Sequence, residues 1–121
     1  MDLNEWSREE VFNYIVQKLN EQGSLSQTEC GSCFYRMKNG KRCAAGWLID
    51  DEDYKPEFEG KAISELNLIP PKHLDLVSNL QHIHDESRDL ESFNSRAELY
   101  WRHEQLKARN YTTLFEAVQQ P

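Results

Sequence analysis

The segment from Ser7 to Gly23 constrains the chain most, because it specifies a helix at both ends. Ser7-Arg8-Glu9-Glu10 is a capping box: the serine hydroxyl takes the third helical amide while the glutamate reaches back to the cap amide. Trp6 and Val11 are spaced for a hydrophobic staple across that cap. Val11, Phe12, Ile15, Val16 and Leu19 then recur at helical period as one apolar stripe. Gly23 stands where a left-handed residue stops a helix. Such a helix draws most of its stability from packing its apolar face, so the rest of the chain has to supply the other side of a core.

A chain of 121 residues fits a single domain of common size. It is polar, with 38% hydrophobic residues and a mean hydropathy of −0.82. Three Trp, five Phe and five Tyr offset this, since aromatics remove the most apolar area per residue from water. No apolar run approaches the roughly 20 residues that cross a bilayer. The start, Met1-Asp2-Leu3-Asn4-Glu5, lacks the basic and apolar regions of a signal peptide, and a cytoplasmic protein is expected. The formal charge of −7 opposes binding to duplex nucleic acid or anionic membrane. It leaves room for a local basic pocket, and it suits a partner with a positive surface.

Residues 23–32 are rich in Ser, Gln and Gly and read as a loop. Cys33-Phe34-Tyr35-Arg36-Met37 is β-prone and leads into Lys38-Asn39-Gly40-Lys41, where Asn-Gly is the preferred pair of a two-residue type I′ hairpin turn. That register sets Arg36 opposite Cys43 and Met37 opposite Arg42. Cys33, Tyr35 and Met37 then share one face, and Phe34, Arg36 and Cys43 the other. Residues 43–49 predict a short helix in which Ala44, Ala45 and Gly46 allow close backbone approach. An acidic loop over 50–60 follows, then about two turns of helix over 61–66. Pro70-Pro71 opens a helix over 72–86, with Leu74, Val77, Leu80, Gln81 and His84 along one face. A polar link over 87–94 precedes a helix begun by the capping box Ser95-Arg96-Ala97-Glu98; Ala97, Tyr100, Trp101 and Ala108 face inward and Asn110 ends it. Thr113-Leu114-Phe115-Glu116 starts a last short helix. The expected fold is mainly α, about five helices packed around one short β-hairpin, in a single domain over 1–121.

Four constellations bear on chemistry. Cys30-Gly31-Ser32-Cys33 has zinc-knuckle spacing, with Cys43 as a third thiolate and His82, His84 or His103 as a fourth ligand. No second C-x2-C or H-x3-H follows, so the favoured reading is three reduced cysteines and no cofactor. Their odd, clustered number also argues against a disulfide framework. The acidic loop fails as a calcium site, because Lys55 and Pro56 fall where an EF-hand needs a ligand and a glycine.

Gln81, His84 and Asp85 lie at helical spacing, with His84 near the buried face. A histidine beside a carboxylate is a tuned acid or base, or a group that orients a ligand; equally it is a core histidine bonded to a backbone carbonyl. Cys43 with His84 as base would make a nucleophile pair if the two met in space. Tyr35, Arg36, Lys41, Arg42 and Trp47 form the dense basic-aromatic cluster. Arg36 would clamp a carboxylate or phosphate, with Tyr35 or Trp47 stacking on a base. Its other reading is a hairpin edge protected by charge. Walker, Rossmann, H-E-x-x-H and G-x-S-x-G motifs are absent.

The motifs Cys33-x-Tyr35-Arg36, Gly40-Lys41-x-Cys43-Ala44-x-Gly46-x-Leu48-Ile49, Tyr54, Glu59-Gly60, Leu80-Gln81-x-x-His84-Asp85 and Trp101 together resemble a family of small proteins frequent in bacteriophage and prophage genomes. The resemblance runs from Cys33 to Trp101, omits Cys30, and carries no established activity. It implies that hairpin and His84 helix form one unit, with Cys43, Gly46, Gln81 and His84 close together, and that the cytoplasm in question is the host's. The expected function is a non-catalytic phage-type accessory protein acting in counter-defence. It would sequester a small anionic, nucleotide-like ligand through Tyr35, Arg36, Arg42, Cys43, Trp47, Gln81, His84 and Asp85, or block a host protein. The alternatives are a small hydrolase or nucleotide-cleaving enzyme using His84 and Asp85, and an acidic protein-interaction module.

Overall fold

The structure, a computed structural model, describes residues 2–27 and 34–108. Helix α1 (Arg8–Gln22) forms as its end signals dictate. The Ser7 hydroxyl accepts the Glu10 amide at 3.1 Å, and the Glu10 carboxylate accepts the Ser7 amide at 3.0 Å. Gly23 closes the helix at φ +85°, a conformation that a side chain would strain. Val11, Phe12, Ile15 and Leu19 are buried.

Helix α2 (Pro71–Glu86) starts on a proline at its first position, where no amide is lost to the helix. Its buried face is His73, Leu76, Val77, Leu80 and His84, so His73 and Leu76 take the place expected for Leu74. The His73 Nε2 lies 2.9 Å and 3.0 Å from the carbonyl oxygens of Leu3 and Trp6, fastening the 3-10 turn Leu3–Glu5 to α2. Helix α3 (Leu90–Ala108) begins more than a turn before Ser95. Its cap is Asp89, which accepts the Ser92 amide at 2.8 Å while the Ser92 hydroxyl accepts the Asp89 amide at 3.2 Å. Ser95 therefore lies inside the helix. Phe93 and Ala97 of α3 enter the core, and Trp101 stacks on Phe12 of α1 with centroids 4.5 Å apart.

The expected five helices around a β-hairpin are not what the chain forms. Among the described residues there are three α-helices, four short 3-10 helices and no strand. The chain does reverse at Lys38-Asn39, but with one closing pair: Met37 donates to the Lys41 carbonyl at 2.8 Å and Gly40 to the Met37 carbonyl at 3.0 Å. Met37 thus faces Lys41 and not Arg42. Gly40 carries the positive φ (+91°) and Asn39 does not, which excludes a type I′ turn. Residues 61–66 give only the single 3-10 turn Ile63–Glu65. The helix expected from Thr113 and the end expected at Asn110 lie outside the described residues.

The long connection between α1 and α2 is folded inward, placing Leu25, Tyr35, Cys43, Ala44, Ala45, Leu48, Ile49, Ile63 and Ile69 in the same core cluster as the helices. Backbone amides taken that deep need acceptors. In place of a ladder, side chains supply them. Glu59 accepts the amides of Tyr35 (2.8 Å) and Arg36 (3.2 Å). Gln22 accepts that of Arg42 (2.7 Å), Gln81 that of Ala45 (2.8 Å) and His84 that of Ser26 (3.2 Å). This substitution of side chains for strand pairing is what sets the site.

Candidate functional site

A cavity of about 420 Å³ opens between α2 and the inward connection, with Tyr35, Cys43, Glu59, Ile63, Gln81 and Asp85 in its walls, joined by Lys61, Ser78 and His82. That volume falls within the roughly 300–1,000 Å³ of small-molecule sites.

Asp85 is one of two carboxylates in its wall. Its Oδ1 accepts from the Gln81 amide nitrogen at 2.7 Å and lies 3.2 Å from the His84 Nδ1. Both supporting side chains are fixed from behind. The Ala45 amide donates to Gln81 Oε1 at 2.8 Å, so the amide's nitrogen is the end turned to Asp85. The Ser26 amide donates to His84 Nε2 at 3.2 Å, so the ring proton sits on Nδ1 and is donated to the carboxylate. Two backbone amides from separate parts of the connection thus set one carboxylate oxygen. Asp85 is 46% exposed while His84 is fully buried; the carboxylate meets the cavity and the imidazole braces it from the core.

Glu59 is the second carboxylate of the wall, and sequence reasoning gave it no role beyond a motif position. Besides the two amides, it accepts the Tyr54 hydroxyl at 2.6 Å. Burial and this bond push the Tyr54 hydroxyl up to about 12. The Tyr35 hydroxyl, which donates to the Lys61 carbonyl, is pushed up strongly by burial, then by Cys43, Glu59 and Asp85. The folded state therefore holds protons that the unfolded chain releases above about pH 10. Stability from these hydroxyls is complete below that pH and falls through the range up to about 12 and beyond. A melting series from pH 8 to 11.5 should show an alkaline decline that Tyr54→Phe reduces; an unchanged slope in that variant would refute the assignment.

The eight residues expected to make one site separate into two groups. Tyr35, Cys43, Gln81 and Asp85 share the cavity, with His84 directly behind. Arg36, Arg42 and Trp47 lie outside it. Arg36 donates to the Ile49 carbonyl at 2.8 Å, pairs with Asp51 at 2.9 Å and lies 4.6 Å over the Tyr54 ring. Arg42 pairs with the same Asp51 at 3.1 Å and lies 4.9 Å over Trp47, which Lys18 also approaches at 5.7 Å. The acidic loop takes up the guanidinium that was to hold an anion. Of the cysteines, Cys30 and Cys33 lie outside the described residues. Cys43 is buried, and its Sγ accepts the Gly46 amide at 3.4 Å; no metal-holding group occurs among the described residues. Gln22 and Ser26 drew no reading from the sequence and Glu59 only a motif position, because the backbone-amide bonds that matter here join residues 20 or more positions apart.

In comparisons with known proteins, no family model, curated protein or solved structure matches the chain. The phage-family resemblance therefore stands on its motifs alone. Among the described residues no helix is long and apolar enough to cross a membrane.

Proposed function

We propose that the protein binds a small molecule in the cavity between α2 and the inward connection, without turning it over. One observation carries this reading: Asp85 is aimed by Gln81 and His84, each locked by a backbone amide. A carboxylate held in one orientation at a cavity wall has little further freedom to lose on binding, which favours affinity. Binding is preferred over acid-base turnover because both ring nitrogens of His84 are engaged and the ring is buried, leaving it no route to a reacting atom. The clamp that the anionic form of the reading needed is also missing, since Arg36 serves Asp51 and the Ile49 carbonyl. Combined with the phage resemblance, the reading is of an accessory protein that captures a host-cell compound.

A fragment and nucleotide screen followed by amide chemical shifts tests it. Ligands are expected to move the signals of Tyr35, Cys43 and Gln81, and Asp85→Asn to weaken them by about tenfold, the worth of one charged hydrogen bond. A broad screen in which no compound moves those three amides would remove the proposal.

A further inference from the structure

We infer that the face shared by α1 and α3 docks a second copy of this chain, with the two α3 helices antiparallel. This face shares no residue with the cavity between α2 and the inward connection. Among the described residues, the exposed large hydrophobics are Leu99 and Leu106, at 66% and 46%. Seven positions apart, they lie about two turns from each other along one side of α3. Beside Leu99 a groove of about 510 Å³ runs between the helices, lined by Phe12 and Val16 of α1 and by Ala97 and Trp101 of α3. A projecting leucine next to an apolar groove supplies knob and hole on one surface. That is what a twofold contact requires, because the patch has to be complementary to itself.

Charge sets the orientation. Glu98 and Arg102 line the groove on the side of Leu99, one turn apart, and pair with each other at 2.6 Å. Against a parallel copy in register, each would meet its like. Against an antiparallel copy with the twofold axis level with Tyr100, Glu98 meets the partner's Arg102 and Arg102 the partner's Glu98. The pair within each helix need not break for this. A guanidinium has donors to spare and a carboxylate a second oxygen, and both side chains are largely exposed. Four charges of alternating sign then close into one ring. The same register sets Leu99 opposite the partner's Trp101, which in each copy is stacked on Phe12 at the groove.

Sedimentation equilibrium of the full chain across the micromolar range tests this. A dimer is expected, and Leu99→Lys should raise its dissociation constant at least about tenfold, since both copies carry the change. Leu99 is exposed in the single chain, so that variant should melt with wild type. Glu98→Arg and Arg102→Glu each leave the ridge with one sign of charge and should be monomeric alone. Mixed in equal amounts, the two should pair to within about threefold of the wild-type affinity. A wild-type chain that stays monomeric throughout overturns the proposal. So does a dimer that Leu99→Lys leaves intact, and so do two charge variants that fail to pair when mixed. A monomeric chain that binds phosphatidylcholine vesicles, and loses them in Leu99→Lys, would give the face to lipid and overturn the second copy as its occupant.

Discussion

Gly46→Ala is expected to destabilise the protein by about 3 kcal/mol, at the upper end of overpacking costs. A Cβ built on Gly46 lies 2.2 Å from the Tyr35 carbonyl oxygen and 3.0 Å from its carbonyl carbon. Both are backbone atoms, so no side chain can rotate out of the way. The fault is space and not dihedral angle, because Gly46 is not among the glycines at positive φ. Relief requires the chain at Tyr35 to move outward, and that chain is held by Glu59 through the amides of Tyr35 and Arg36. The strain should therefore spread into the cavity wall. A thermal melt should fall by roughly 10 °C for a chain of this size, and ligand affinity should fall with it. A variant within 2 °C of wild type would mean that the two backbones are not in contact. Gly46 was readable as a point of close approach from the run Ala44-Ala45-Gly46; its partner, Tyr35, was not.

That contrast describes what the sequence exposes and what it hides. Signals completed within a few residues read correctly: the Ser7–Glu10 box, the Gly23 stop and the Pro70-Pro71 start. The Asp89–Ser92 cap is equally local but was passed over for Ser95, whose serine and glutamate match the commoner pattern and yet sit inside α3. The hairpin failed for a different reason. Asn39-Gly40 does signal a reversal, which the chain makes one residue earlier at Lys38-Asn39, but whether flanking segments pair depends on where their amides find acceptors. Glu59 and Gln22 outcompete the opposite strand for Tyr35, Arg36 and Arg42, and nothing local announces them. The same distance effect split the site. Gln81, His84 and Asp85 were legible through helical spacing. Arg36 was misplaced because the acidic loop, read as solvated, sends Asp51 back to it.

The choice between strut and catalyst for His84 rests on its substitutions. His84→Ala is expected to cost about 3 to 4 kcal/mol, from the core volume lost and from the Ser26 amide left buried without an acceptor. His84→Gln keeps an oxygen near the position of Nε2, so it can still receive Ser26 while losing the proton given to Asp85. It should recover about half of that loss. His84→Asn places its polar atoms near Nδ1 and restores the Asp85 side alone, so it should remain close to alanine in stability. The Ser26 bond is the one sealed from water and therefore the dearer to break. Urea denaturation midpoints of the three variants are expected to fall in the order Gln above Asn, with Ala lowest. If His84→Ala unfolds within 0.5 kcal/mol of wild type, a margin typical of surface sites, the imidazole is not a strut. The energetic reason for holding it inert then disappears, and the acid-base reading of His84 regains its ground.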